Sequence, residues 1–205
     1  MHEDEGGAKG QGQGQDKGYE RLSKLNQVYL AIISRYKDYI EDKESLSLAE
    51  LPMLVTPKDN LVLKIAGEIK GSFSPYVYEK DFYEASMKAF AFVKEKVDTV
   101  VLPLQFWLMP EDVLTFMIGD NMDKNILLCS IFIALGNPSA KVLAVVKDSA
   151  QKVLVYYELN GMIRAFSIDG EPIELASLDE VKKKLGVDDG ATAYEFNDKM
   201  YIDIS

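Results

Sequence analysis

Apolar residues in the first part of the chain recur at the spacing of a helix. From Tyr19 onward they lie three or four positions apart, which places them on one face of a long helix that reaches Lys43. The members of this stripe are Leu22, Leu25, Val28, Tyr29, Ile32, Ile33, Tyr36 and Ile40. The stripe either packs across its own domain or meets a partner helix, and amphipathic helices of this length normally pack on their own domain.

Two further helices are predicted before the middle of the chain. Thr56 and Pro57 are suited to the N-cap and first helical position of a helix that runs towards Ile69. A third helix is predicted from Lys80 to Val97, with small and aromatic residues on its inner face. Those inward residues are Phe82, Ala85, Ala89, Phe90 and Val93.

The second half of the chain changes to strand patterns. Three strands are predicted at Ala140 to Val146, Gln151 to Leu159 and Met162 to Ile168, and Asn160-Gly161 is a strong signal for a hairpin turn between the last two. A short helix from Leu178 to Leu185, opened by Ser177 and closed by Gly186, precedes a hairpin of Ala193 to Phe196 and Met200 to Ile204. Helices first and an antiparallel sheet second predict an α+β fold.

A nearly continuous apolar helix separates these two halves, and the residues that open it carry a family resemblance. Gly119-Asp120-Asn121-Met122-Asp123 is similar to the GDCxD element of transglutaminase-like proteins in the papain-like superfamily, with Asn121 in the place of the Cys. The segment Trp107 to Leu114 resembles the family's aromatic-Pro-Glu lead-in, and Lys124 to Gly136 resembles its central helix. The resemblance implies a papain-like fold in which the central helix packs on an antiparallel sheet.

The resemblance also implies where the other two catalytic residues would lie. The family's His would fall near Gln151, Lys152 or Val153, and none of these is a His. The single His of the chain is His2, in the N-terminal segment. Asp169 stands where the family has its Asp. We therefore expect Asn121 and Asp169 to be neighbours, with Lys152 or Val153 in the place of the lost imidazole.

Thiol acyl transfer needs a thiolate, an imidazole that moves the proton and a group that orients the imidazole. Asn121 offers only an amide, which can position a ligand by hydrogen bonds but forms no acyl intermediate. Cys129, the one thiol, lies eight residues into the helix between apolar neighbours and is predicted to be a buried structural residue. The sequence thus favours a catalytically inactive member of the family.

The remaining polar residues predict a binding groove rather than a catalytic or metal centre. Trp107, Leu108 and Tyr156 are expected to line it, with Asp120, Asn121 and Asp169 at its mouth, and the expected ligand is a protein or peptide. Two of the carboxylates of Asp120, Asp123 and Asp169 could hold a hard cation. Capping and the dipole of the central helix explain Asp120 and Asp123, and a turn explains Asp169, so no metal or cofactor is predicted. The alternative function is a hydrolase or acyltransferase with rebuilt, metal-assisted chemistry in the same groove.

Composition narrows the classes of function. The net charge of −10 argues against nucleic acid, and Lys182, Lys183 and Lys184 suit the C-terminal turn of a short helix. The longest strongly apolar run, Ile126 to Leu135, is too short to span a bilayer, and no signal peptide is recognisable. A single Cys excludes an internal disulfide, and we expect a cytoplasmic protein.

Residues 1–18 are rich in Gly and Gln and are predicted to be a flexible, low-complexity tail. The rest, residues 19–205, has a length that fits one domain, with the first long helix and the C-terminal helix and hairpin as additions to the part that resembles the family. The sequence indicates neither the partner nor the oligomeric state.

Overall fold

The computed structural model describes residues 12–44, 48–101, 106–147, 150–187 and 191–204. The chain divides into two compact units, of which the first contains residues 1–45 and 103–105 and the second contains residues 46–102 and 106–205. Among the described residues, no helix combines the length and the apolar character that crossing a membrane requires.

The first unit contains one helix, α1, at Gly12–Glu44. It begins within the segment predicted to be a tail, whose first 11 residues lie outside the described part of the chain. Aromatic and aliphatic side chains of α1 are exposed, among them Tyr19, Tyr29 and Tyr36. An ion pair four residues apart, between Lys37 and Glu41, adds local support to the helix.

The second unit places helices before a sheet. Its helices are a 3-10 helix at Leu48–Leu54, α2 at Asn60–Gly71, α3 at Tyr78–Lys96, α4 at Pro110–Phe116, α5 at Asn121–Leu135 and α6 at Leu178–Leu185. Its strands are β1 at Asp98–Thr99, β2 at Ile118–Gly119, β3 at Lys141–Lys147, β4 at Ala150–Leu159, β5 at Met162–Phe166, β6 at Ile173–Leu175, β7 at Thr192–Phe196 and β8 at Tyr201–Asp203. Strands β1 and β2 form a short parallel pair, and the other six form an antiparallel sheet in the order β6-β5-β4-β3-β7-β8.

Helix α5 is the centre of the core. It packs against α2, α3 and α4 on one side and against β3 and β4 on the other, and nearly all of its residues are buried. Phe132 of α5 meets the rings of Tyr157 and Phe166 edge to face, with centroids 5.3 and 5.0 Å apart. The Tyr157 hydroxyl is paired with Ser86 of α3 at 2.8 Å, so this aromatic cluster leaves no polar atom of the phenol unmatched. The predicted α+β class, with a central helix on an antiparallel sheet, is confirmed.

The sheet has two covered faces, and the alternation of side chains along β4 separates them. Val153, Val155 and Tyr157 join the main core under α5. Leu154 and Tyr156 point the other way, into a smaller cluster that contains Val181 of α6. From Val153 to Tyr157, the odd-numbered side chains of β4 therefore face α5 and the even-numbered ones face α6.

Several element boundaries differ from those predicted. Helix α2 begins at Asn60, because the Asp59 carboxylate accepts hydrogen bonds from the backbone N–H groups of Leu61 and Val62 and so caps the helix three residues after Thr56. Strand β6 and the 3-10 helix were not predicted. The turn at Asn160 and Gly161 is confirmed, and both residues have the positive φ values, 55° and 75°, that a tight hairpin turn needs.

Candidate functional site

The N-terminus of α5 is closed by a reciprocal cap. The Asp120 carboxylate accepts a hydrogen bond from the Asp123 N–H at 2.8 Å, and the Asp123 carboxylate accepts one from the Asp120 N–H at 2.9 Å. Two backbone donors that a helix start leaves without a helical partner are thereby satisfied. The predicted capping role of Asp120 is confirmed, and Asn121 is the first residue of α5.

Asp123 also ties the preceding segment to α5. Its second oxygen accepts a hydrogen bond from the Leu108 N–H at 2.8 Å, which fixes the backbone beside Trp107. The carboxyl is fully buried, and this burial raises its pKa from an ordinary 3.8 to about 7. The nearby Asp120 charge raises the pKa further, while the two backbone donors lower it.

Gly119 lies in close contact with the start of α5 and with α4. A Cβ atom at Gly119 would lie 3.0 Å from the Cβ of Asp123 and 3.5 Å from both methyl groups of Val113. A larger residue here would require the Asp123 side chain to shift by a few tenths of an ångström. The glycine therefore leaves room for the start of α5.

Asn121 and Asp169 are neighbours, as the sequence predicted. The Asn121 side-chain N–H₂ donates to the Asp169 carboxylate, with Nδ2 and Oδ2 2.7 Å apart. Asp169 is exposed and Asn121 is half-buried, so the pair lies at the surface. Asp169 follows the end of β5 in a turn, which brings it to the end of the sheet where α5 begins.

Asn125, a buried asparagine one helical turn after Asn121, is hydrogen-bonded to it. The Asn125 N–H₂ donates to the backbone oxygen of Asn121 at 2.7 Å and to its side-chain oxygen at 3.0 Å. These acceptors fix the orientation of both amides, because Asn121 must turn its N–H₂ towards the Asp169 carboxylate and Asn125 must turn its own towards a carbonyl. Oδ1 of Asn125 is left buried without a hydrogen-bond partner among the described residues.

Lys124 is a buried cation one turn from Asn121. Its ammonium donates to the backbone oxygen of Val97 at 2.7 Å and to the Thr99 hydroxyl at 3.0 Å, which anchors β1 to α5. Burial lowers the pKa of Lys124, and the charges of Asp169 and Asp98 act in the opposite direction. Lys124 and Asn125 were missed from the sequence, although two polar residues that open an apolar helix are a usable signal.

The three candidates for the place of the lost imidazole fall on different faces of the sheet. Val153 lies on the α5 face and is buried. Lys152 lies on the opposite face, where its ammonium donates to the backbone oxygen of Leu185 at 3.3 Å. The Gln151 side chain forms a hydrogen bond with Tyr194 of β7. The structure therefore brings Asn121 and Asp169 together and does not bring Lys152 to them.

Tyr156 is not a neighbour of Asn121 either. It is buried on the α6 face of the sheet, and its hydroxyl donates a short hydrogen bond to Glu195. The expectation that Tyr156 lines the groove is corrected by this placement, because the sheet stands between Tyr156 and α5. Trp107 and Leu108 are half-buried and pack against the main core near the start of α5.

Cys129 is fully buried in the middle of α5. Burial in apolar surroundings raises the pKa of its thiol, and the charge of Asp198 adds to this rise. Such a thiol holds its proton and is shielded from reagents in solution. Among the described residues, no group of three or more His, Cys, Asp or Glu is placed to hold a metal ion.

No family model matches the chain, and no curated protein matches it. Among solved structures, EGTA-treated LapG from Legionella pneumophila is 11% identical, with a TM-score of 0.50, and the match covers 78% of this chain and 87% of that one. A second structure of Legionella pneumophila LapG has a TM-score of 0.41 at 11% identity, and the match covers 70% of this chain and 87% of that one. A proposed protease from Parabacteroides distasonis has a TM-score of 0.40 at 16% identity, and the match covers 60% of this chain and 30% of that one, so this chain spans under a third of its length.

The comparison at a TM-score of 0.50 supports a likeness of fold to EGTA-treated LapG over most of both chains. At these identities the likeness concerns the path of the chain and not its chemistry.

Proposed function

We propose that this chain is a catalytically inactive transglutaminase-like domain that acts as a protein-binding or scaffold module. The observation that carries the proposal is the direct hydrogen bond between Asn121, at the start of α5, and Asp169, after β5. By the resemblance, these two residues occupy the places of the nucleophilic Cys and the Asp of a triad. The fold that would support a triad is retained, and the reacting groups are replaced.

The chemistry of the replacements supports inactivity. A side-chain amide has no titratable proton and is a poor nucleophile, so Asn121 cannot form the acyl intermediate that a thiolate forms. None of the three candidates for the imidazole's place is a general base beside Asn121: Val153 carries no proton donor or acceptor, Gln151 carries only an amide, and Lys152 faces away from α5. Cys129 is buried with a raised pKa, and the only His of the chain is His2.

Binding is supported by what the surface around the pair still offers. Trp107 and Leu108 are partly exposed and are held beside the start of α5 by the Asp123 carboxylate. Asp169 is exposed, and Asn121 Nδ2 retains a second N–H for a ligand. A Trp next to hydrogen-bonding groups of fixed position is typical of anchor points in protein interfaces. We also propose a cytoplasmic location, because the chain has a single Cys and can form no internal disulfide.

The test of inactivity is an assay for acyl transfer and peptide hydrolysis. The full chain is incubated with glutamine peptides and an amine donor, with unstructured peptide substrates, and with a thiol-directed inhibitor. We expect no turnover and no effect of the inhibitor. Turnover that disappears in the Cys129→Ala variant would contradict the proposal.

The test of the binding surface uses two variants once a partner has been isolated. Trp107→Ala and Asn121→Ala are first checked for intact folding by circular dichroism, and their dissociation constants for the partner are then measured. We expect at least a tenfold loss of affinity for Trp107→Ala. Unchanged dissociation constants for both folded variants would place the interface elsewhere, with α1 as the next surface to test.

A further inference from the structure

Helix α1 carries a row of large apolar side chains at its surface. Tyr19, Leu22, Tyr29, Tyr36 and Tyr39 are each more than half exposed. A single exposed apolar residue is ordinary, whereas several along one helix mark an interaction surface. The spacing of the row indicates which partner fits it.

The exposed row belongs to a regular repeat in the sequence of α1. From residue 22 to residue 39, apolar residues recur at alternating intervals of three and four positions. This repeat, which we call the seam, consists of Leu22, Leu25, Tyr29, Ile32, Tyr36 and Tyr39. Alternating intervals of three and four are the pattern of a coiled coil, in which the seam of one helix packs against the seam of another.

The seam is complementary to itself when a second copy of α1 runs antiparallel. The register that overlaps the whole seam places residue 22 of one copy opposite residue 39 of the other. Each tyrosine of the seam then lies opposite a leucine or an isoleucine, and the opposing positions are Leu22 with Tyr39, Leu25 with Tyr36 and Tyr29 with Ile32. Large residues opposite smaller ones fill a seam evenly.

A parallel pair in register lacks this complementarity. It would bring Tyr29, Tyr36 and Tyr39 against their own copies, and Leu22 against its own copy, so that layers of two large rings alternate with layers of two smaller side chains. Layers of unequal width pack less evenly than layers that combine a large and a small residue. The sizes of the seam residues therefore favour the antiparallel pair.

The exposed area of the row is large enough for a weak dimer. The antiparallel register also places Tyr19 opposite Ile40 of the second copy, which extends the contact beside the seam. If an aromatic side chain presents roughly 200 Å², the exposed parts of Leu22 and the four tyrosines amount to about 500 Å² per helix and about 1,000 Å² per pair. This area is close to the lower limit of a specific interface, so the pair is expected to be reversible.

We propose that α1 pairs with α1 of a second copy of this chain as an antiparallel coiled coil, in the register that places Leu22 opposite Tyr39. The proposal concerns the first unit alone and does not depend on the binding role proposed for the second unit. Two other occupants are distinguished by the test. If the row is covered by the chain's own second unit or by a different protein, the purified chain stays monomeric.

The first measurement is sedimentation velocity of the full chain, from low micromolar to several hundred micromolar concentration. We expect the mass to rise from that of one chain to that of two, with a midpoint in the micromolar range. A chain that stays monomeric over the whole range would overturn the proposal.

Matched variants test whether the seam makes the contact. Tyr29→Glu and Tyr36→Glu place a carboxylate in the seam, where pairing would remove its water, and Leu30→Glu places the same charge at an exposed position outside the seam. Circular dichroism checks that each variant keeps its helix. We expect the dissociation constant of the dimer to rise at least tenfold in each seam variant and to stay within twofold in Leu30→Glu. Equal losses in the seam variants and the control, or no loss in either seam variant, would overturn the proposal.

Spin labels test the direction of the two helices. Ala31→Cys and Asp38→Cys carry the labels at exposed positions one heptad apart, and the native Cys129 is buried and takes no label. In the antiparallel register the two copies of residue 31 lie at nearly the same height, whereas the two copies of residue 38 are offset by roughly 20 Å along the axis. We therefore expect a clearly longer distance between labels in Asp38→Cys than in Ala31→Cys. Equal distances in the two variants would show a parallel pair and overturn the proposed register.

Discussion

Each face of the central sheet buries one carboxylate, and the groups that bind the two carboxylates differ. On the α6 face, Glu195 lies 2.6 Å from the Lys141 ammonium and also accepts a hydrogen bond from the Tyr156 hydroxyl. On the α5 face, Asp123 meets no cation within ion-pair distance among the described residues and accepts two backbone N–H groups. The first arrangement fixes three side chains in the sheet, whereas the second fixes the backbone around the candidate site.

The difference shows which face can have a function at its surface. The Glu195 cluster is closed, since its carboxylate is matched on both oxygens and 3% exposed. On the α5 side, Asn121 and Asp169 form a separate hydrogen-bonded pair at the surface, where hydrogen-bonding capacity is left over. We therefore expect mutations on the α6 face to affect stability most, and mutations at the α5 start to affect stability progressively less as they approach the surface.

The largest effect is expected from Glu195→Gln. The substitution leaves the Lys141 ammonium, which is mostly buried, without its counter-charge, and breaking such a pair costs about 3 kcal/mol of unfolding free energy. Urea denaturation measures the change. The control is Glu84→Gln, whose exposed pair with Lys88 is expected to contribute less than about 1 kcal/mol. Similar losses in both variants would contradict the contrast between buried and exposed pairs.

A smaller loss is expected from Asp123→Asn. An asparagine oxygen can accept one of the two backbone N–H groups, but its own N–H₂ faces the other, so one buried donor loses its acceptor at a cost of about 1–3 kcal/mol. Urea denaturation at pH 7.5 measures this change as well. A variant as stable as the parent would mean that the segment around Leu108 is held by other contacts.

The pH dependence of stability separates Asp123 from the other carboxylates. Between its ordinary pKa of 3.8 and its folded value of about 7, the folded protein holds a proton at Asp123 that the unfolded chain releases. This contribution is fully present below pH 3.8 and is lost as the pH rises towards 7, so stability should fall over that range. Subtracting the profile of Asp123→Asn from that of the parent removes the background of other groups. A difference profile that rises with pH would contradict the assignment.

The smallest loss is expected from Asn121→Ala. It removes one hydrogen bond to an exposed Asp169 and one to Asn125, and partly solvated bonds of this kind contribute less than about 1 kcal/mol each. Thermal unfolding, followed by circular dichroism, measures this loss of stability. A loss larger than that of Asp123→Asn would reverse the expected order and would make Asn121 a structural residue.

Much of the fold could be predicted because local patterns determine it. The hairpin at Asn160, the cap of α6 at Ser177 and the apolar character of α5 depend on residues close in sequence. The contact between Asn121 and Asp169, 48 residues apart, came from the family resemblance and agrees with the structure. Spacing alone would not have predicted it.

The misplaced residues share one physical cause, which is register. A shift of one residue moves a side chain to the other face of a sheet. The sequence predicted a short stretch of β4 for the place of the imidazole but not which of its residues face α5, so it could not decide between Lys152 and Val153. Tyr156 was assigned to the groove for the same reason. The segments around Thr56, Met109 and Asp198 lie far apart in the chain and meet around one cavity, and no local pattern indicates that they meet.

The measurement that tests the central claim most directly is the rate of thiol alkylation by iodoacetamide in the native protein, compared with that of Asn121→Cys. If Asn121 marks the former nucleophile position and Cys129 is inert, the parent should react only as fast as it unfolds, and Asn121→Cys should react at least tenfold faster at a half-buried helix start. Rapid labelling of native Cys129, or no labelling of a folded Asn121→Cys, would contradict the account.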